Sequence, residues 1–385
     1  MSISHEIKLI KSLNEIDTNQ WSQVIQTDYP FIQYEFLKAM EDSGATCAKT
    51  GWQPLHLTIW QDENLVGLMP LYLKDHSYGE YVFDFQWADA YFRSGLNYYP
   101  KLLSAIPYSP VSGKRIYLAE SCVSHEQEII NQIVKSIEKI AEEKSLSSCH
   151  LLFPLVEESN KLQESGWVKR LGVQYHWFND EYQDFDEFLA ACKLKYRKNI
   201  KRERKSVDSQ GIDIEVLQGK EITETIWQKF YLFYQLTYMK RSGHGGYLNQ
   251  DFFQQIGNRM KDSIVMIVAK SDDEIVAASL FFRDSNNLYG RYWGCIREYD
   301  FLHFELCYYQ GIEYCINNGL KKFDAGAQGE HKIQRGFRPV QTFSNHWITH
   351  PDFSSAIGRF INDEKSLIKA DIKRLEKKLP FKREQ

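Results

Sequence analysis

Tyr289 to Arg338 reads YGRYWGCIREYDFLHFELCYYQGIEYCINNGLKKFDAGAQGEHKIQRGFR, and this stretch decides the fold. It opens with a β-rich run, Leu288 to Cys295, and passes through a polar turn into an aromatic-rich helix, His303 to Asn317. Asn317-Asn318-Gly319 stops that helix, because Asn and Gly tolerate the left-handed cap conformation. A short strand follows, Lys322-Phe323-Asp324, and runs into Ala325-Gly326-Ala327-Gln328-Gly329-Glu330-His331-Lys332. A carboxylate, an imidazole and an ammonium therefore stand just past a strand end, where open α/β sheets bind ligands.

Upstream, the chain repeats itself weakly. Leu65 to Tyr72 follows an acidic turn, Asp62-Glu63-Asn64, and Ile275 to Phe282 follows Asp272-Asp273-Glu274. Apolar strands precede both turns, Leu55 to Trp60 and Ile264 to Ala269, so each copy reads as a hairpin. Tyr78-Gly79-Glu80-Tyr81 and Tyr289-Gly290-Arg291-Tyr292 follow the two copies at similar spacing. A helix (Glu126 to Lys144), a strand (Cys149 to Leu155), a short helix and a strand through Val173–Trp177 then match the second-half series, which ends in a strand from Thr342 to Ile348. Hairpin, helix, strand, helix, strand, written twice, predicts two similar mixed α/β domains. The expected boundaries are 1–183 and 184–350, with an aromatic insert at 78–110 and a charged helical tail at 351–385. Phe185 to Asp208 reads as one long helix opening the second domain.

The composition agrees with two packed cores. The chain has 385 residues, 43% of them apolar, with 23 Tyr and 23 Phe. A net charge of -4 argues against nucleic-acid binding by bulk electrostatics. The seven Cys form no CxxC pair and no metal-ligand spacing, which fits reduced thiols. The start, MSISHEIKLIKSLNEID, lacks the apolar core of a signal peptide, and no apolar run reaches the roughly 18 residues of a membrane span. These features predict a soluble, cytoplasmic protein without a transmembrane segment. The sequence leaves its oligomeric state open.

Lys193 to Lys205, KLKYRKNIKRERK, holds eight basic residues and one acid in thirteen positions. Tyr196 and Ile200 lie four apart, so this helix has one apolar stripe and a basic face. Arg197, Lys198, Lys201 and Arg202 are the candidates for binding phosphates, although a solvated helix face reads the same way. In the insert, acids and amides alternate with large aromatics. Asp84, Trp87, Asp89, Tyr98, Tyr99 and Lys101 are candidates for recognising a small or sugar-like ligand; a packed aromatic insert is the plainer alternative. Tyr292, Trp293, His303 and Glu305 complete the substrate-binding candidates. His176 and His346 alternate with aromatics in strands and read as structural.

Three blocks carry a resemblance: FDFQWADAYFRSGLNYYPKLLSAIPYSPVSGKR, KYRKNIKRERKSV, and YGRYWGC…FLHFELCYYQGIEYCINNGL…DAGAQGEHKIQRGF. From about Asp28 to Ile348 the chain resembles bacterial predicted N-acyltransferases, also described as peptidoglycan biosynthesis/recognition proteins, a Fem-like branch of the GNAT superfamily. The resemblance implies an α/β fold of tandem GNAT-like domains, each a mixed, mostly antiparallel sheet flanked by helices, as in Fem ligases. It implies acyl transfer to an amine, on a cell-wall precursor where the Fem ligases are the guide. In those ligases a basic helix opens the second domain and a Lys follows the last core strand; the matching residues are Lys195–Lys205 and Lys332.

Amine acylation needs a base, donors for the oxyanion, and alignment of the two substrates. Glu330 or His331 is the candidate base and Lys332 the candidate oxyanion partner; a solvated turn with a helix cap reads the same way. No tightly bound cofactor is expected, with aminoacyl-tRNA or acyl-CoA as donor co-substrate and a small or nucleotide-linked acceptor. A GNAT pyrophosphate loop, Arg/Gln-x-x-Gly-x-Gly/Ala, is missing from the expected turns. Arg241-Ser242-Gly243-His244-Gly245-Gly246 resembles it without a strand leading in. A conventional acyl-CoA N-acyltransferase and a non-catalytic binding module for a cell-envelope precursor are the alternatives.

Overall fold

The two acidic turns form as the pattern requires. His56–Gln61 pairs antiparallel with Asn64–Met69, and Ile264–Ser271 with Glu274–Arg283. Asp62, Asp272 and Asp273 take positive φ at the tips, which Asp tolerates and tight hairpins need. The computed structural model describes residues 5–327 and 329–382, so Gln328 of the quoted cluster lies outside the described residues. Within these, no helix is long and apolar enough to cross a membrane.

The chain forms two compact units. The first holds Met1–Thr27, Phe31–Val173 and Gln341–Asp371; the second holds Asp28–Pro30, Gln174–Val340 and Ile372–Gln385. The sequence boundaries follow helix starts, whereas the units change over at 173/174 and 340/341, inside the strands Val168–Phe178 and Arg338–Ile348. The reason is pairing. In the second unit the strands run Asp213–Gln218, Ile264–Ser271, Glu274–Arg283, Asn287–Cys295, Lys322–Asp324, then the end of Val168–Phe178. In the first unit the end of Arg338–Ile348 pairs with Ser148–Leu152, followed by Lys101–Ser104, Tyr72–Lys74 and Trp52–Pro54. Each half of the chain thus lends its last strand to the other unit's sheet.

The repeat is visible in the registers. Lys101–Ser104 runs parallel to Ser148–Leu152 across the helix Glu126–Glu143, as Asn287–Cys295 runs parallel to Lys322–Asp324 across the helix Leu302–Asn317. His150 sits opposite Leu103 and His346, the place held in the second unit by Asp324 opposite Tyr289 and His176. Two readings need correction. Tyr78–Tyr81 lies in an irregular turn, so it does not match Tyr289–Tyr292; Lys101–Ser104 takes that strand's place. The expected long helix is two, Phe185–Ala191 and Leu194–Asp208. Cys192 between them is extended and bridges Phe381, and Lys193 N–H donates to Pro380 O. That pairing substitutes for the lost helical hydrogen bonds.

Each unit has its own core. Ile267, Phe281, Leu306, Ile312 and Phe323 are fully buried in the second, and Ile129, Ile133, Leu57 and Met69 in the first. Each such side chain contributes about 1.5–3 kcal/mol on leaving water.

Candidate active site

The site begins where two parallel strands part. Asn287, Leu288 and Tyr289 pair with Lys322, Phe323 and Asp324, and there the short strand stops while its neighbour continues to Cys295. A bulge leaves Arg291 outside the register, since Leu280 faces Tyr292 and Phe281 faces Gly290. Bulges re-aim side chains. The Arg291 guanidinium here clamps Asp324, with Nη2 to Oδ2 at 2.6 Å and Nη1 to Oδ1 at 3.3 Å. Burial alone would raise the Asp324 pKa, but Arg291, then His176, hold it well below the usual carboxylate range.

Lys332 is placed by the chain just beyond Asp324. Glu330–Arg335 is a short 3-10 helix of 6 residues between Gly329 at φ 115° and Gly336 at φ 92°. Both ends need backbone that L side chains rarely adopt, hence glycine. The turn folds Lys332 back, 2% exposed, so that Nζ donates to Ala325 O at 2.8 Å and Gly326 O at 2.7 Å. An ammonium has three donors, and among the described residues these two carbonyls are the acceptors it meets. Burial lowers its pKa to about 8; Asp324 opposes that shift and Arg291 adds to it. It remains mostly charged at neutral pH.

The facing wall is aromatic. The helix Leu302–Asn317 contains a π turn at Glu305–Tyr309, a distortion frequent at functional sites. Tyr308 from this turn meets His331 Nε2 at 2.9 Å. Trp293, His303, Tyr308 and His331 follow one another with ring centroids 5.3, 5.4 and 5.7 Å apart. Desolvation, then Arg335 and Lys332, lower the His331 pKa and favour the neutral ring. Burial and then Arg241, His331 and Lys332 push His303 down to about 3. The field across this wall is therefore positive, and suits a developing negative charge.

Other sequence candidates are placed elsewhere. Tyr292 points to the opposite face of its strand from Trp293 and packs on Tyr234 and Phe253. Glu305 is buried against Arg204 and Gln310. The Glu330 carboxylate is exposed and faces Arg374 and Lys378, at 3.7 and 3.4 Å. On the basic helix, Lys198, Lys201 and Arg202 are exposed and Arg197 half-buried; Lys201 meets Asp186 at 3.1 Å.

In the first unit, Asp84, Trp87, Tyr98 and Lys101 are buried together. Lys101 Nζ donates to Ser77, Glu80 and Asp84, and Tyr98 donates to the same Asp84 oxygen at 2.7 Å. Tyr99 meets Ser77 at 2.8 Å, Trp87 packs edge-on against His346, and Asp89 is an exposed partner of Arg93.

Sequence reasoning missed Tyr308 and Arg241. The first was one aromatic among many in its helix; only the π turn singles it out. The second opens the Arg241–Gly246 segment that no strand leads into, and it stands near the C-terminal end of the helix Glu224–Ser242, within electrostatic reach of His303 and Tyr308.

Residues 12–383 match the model of the FemAB-like family, described as peptidoglycan biosynthesis/recognition. No curated protein matches the sequence. Among solved structures, the chain is similar to FemX at 11% identity and a TM-score of 0.53, over 91% of this chain and 100% of that one. It is similar to the C-terminal domain of a putative lysylphosphatidylglycerol synthetase from Agrobacterium fabrum at 8% identity and a TM-score of 0.53, over 89% and 95% of the two chains. A tandem GNAT protein from the clavulanic acid biosynthesis pathway aligns at 8% identity and a TM-score of 0.49, over 90% and 99%. FemX and this chain thus share a fold, the mixed α/β fold of Fem ligases that the sequence predicts. The chain belongs to the FemAB-like family.

Proposed function

We propose that the second unit carries an N-acyl- or aminoacyltransferase site, acting on the amine of a small or nucleotide-linked acceptor. Family membership supports a peptidoglycan-related acyl or aminoacyl transferase. The observation that carries the finer reading is the Lys332 ammonium, fixed by two backbone carbonyls beside the Tyr308–His331 pair.

In this reading the acceptor amine attacks the donor carbonyl. The new C–N bond forms and the bond to the leaving thiol or ribose hydroxyl breaks. His331 takes the amine proton, directly or through the Tyr308 hydroxyl, and returns it to the leaving group. Lys332 donates an N–H to the oxyanion and stabilises it. Glu330 is left out of the chemistry because it faces Arg374 and Lys378. The exposed Lys198, Lys201 and Arg202, with Arg197, suit phosphates of either a charged tRNA or CoA.

The test is product formation followed by mass spectrometry. Acyl-CoAs and charged tRNA serve as donors, and UDP-linked peptidoglycan precursors as acceptors. Lys332→Ala should abolish amide formation while the ligand-induced rise in Tm persists. Turnover unchanged in Lys332→Ala sinks the proposal. Ligand shifts with no product from any pair would move the weight to a binding module.

A further inference from the structure

The single acid of the basic run faces inward. Glu203 is 8% exposed, and both of its oxygens accept from Arg335 Nη2, at 3.0 and 2.9 Å. The Tyr309 hydroxyl donates to the same carboxylate. Each of these donors belongs to a segment that carries half of the site. Arg335 ends the turn holding His331 and Lys332, and its Nη1 donates back to His331 O at 2.9 Å. Its guanidinium lies 3.6 Å over the Phe304 ring. Tyr309 follows Tyr308 in the π turn. The next residue of the basic helix, Arg204, reaches Glu305 and Glu313 on the same π-distorted helix, at 3.1 and 2.7 Å.

We infer that Glu203 is a positioning residue, one buried carboxylate that sets the register between the His331–Lys332 turn and the Tyr308 π turn. It touches no reacting atom. It acts by holding Arg335 and Tyr309, and through them the Tyr308–His331 contact. A misplacement of about 1 Å at such a contact costs on the order of 100-fold in rate. The inference rests on the proposed transferase reading for its consequence, but not for its geometry.

The experiment follows the His331 ring resonances by NMR of selectively labelled full-length protein at one pH, assigned with His331→Gln. Glu203→Gln and Tyr309→Phe should both shift them. Val207→Ala, a buried residue one helical turn on, should lower Tm without moving them. The kinetic arm expects kcat in Glu203→Gln to fall roughly 100-fold, with KM nearly unchanged. Unmoved His331 resonances in Glu203→Gln overturn the inference, as does an equal shift in Val207→Ala. If Glu203→Gln does not fold, Tyr309→Phe decides alone. Absence of turnover in the wild type would count against the transferase reading, and the resonances would still decide the role of Glu203.

Discussion

Glu203 and Arg335 lie 132 positions apart and meet as a buried, two-toothed ion pair, 2.9 and 3.0 Å from one guanidinium nitrogen. Removing one partner of such a pair strands the other charge away from water, which costs about 3–5 kcal/mol. Arg335→Met should lower the unfolding free energy by about that amount, measured by urea titration. The double variant with Glu203→Met should recover much of the loss. Additive losses would mean that the pair is not coupled.

Lys332 has the opposite energetics. Its pKa is about 8 in the folded chain and near 10.5 unfolded. Between those values the unfolded chain keeps a proton that the folded one has released. Stability from this group therefore rises with pH across that window, by about 1.4 kcal/mol per unit. The stability difference between wild type and Lys332→Met should move in favour of wild type from pH 7.5 to 9.5. A flat difference would mean an ordinary lysine.

Tyr308 and Glu330 separate the chemistry from its surroundings. Tyr308→Phe removes one hydroxyl and the hydrogen bond to His331, so turnover should fall 10- to 100-fold with about 1 kcal/mol lost in stability. Glu330→Ala breaks only exposed ion pairs, each worth about 0–1 kcal/mol, and should leave turnover within about twofold. A large rate loss in Glu330→Ala would return the base role to that carboxylate.

Lys101 tests the first unit. It is 0% exposed and pairs with both Asp84 and Glu80. Burial pushes Glu80 up to about 7, with Lys101 opposing; burial also works against Asp84, but Lys101 outweighs it and holds that pKa near 2. Lys101→Met should cost about 3–5 kcal/mol at pH 7. Because folded Glu80 keeps a proton that the unfolded chain loses above its usual 4.5, this group makes stability fall as pH rises from about 4.5 to 7. An unchanged Tm with lost ligand binding would instead place these residues in a binding site.

Local chemistry determined much of this protein. Alternation of apolar residues and the acidic turns specified both hairpins, because strand period and turn preference act over a few residues. Asn318-Gly319 ended the aromatic helix, and Gly329 and Gly336 marked the turn that carries Lys332. What the tertiary structure alone decided depends on partners distant in the chain. The halves exchange their last strands because pairing is chosen among all available edges, and no local pattern records that choice. Helix periodicity puts Glu203 on the face of Tyr196 and Ile200, but only the tertiary structure supplies the Arg335 and Tyr309 that meet it there. Nor could composition tell that Lys101, Asp84 and Tyr98 meet in one buried cluster, since a buried charge and a binding charge use the same residues and differ only in what surrounds them.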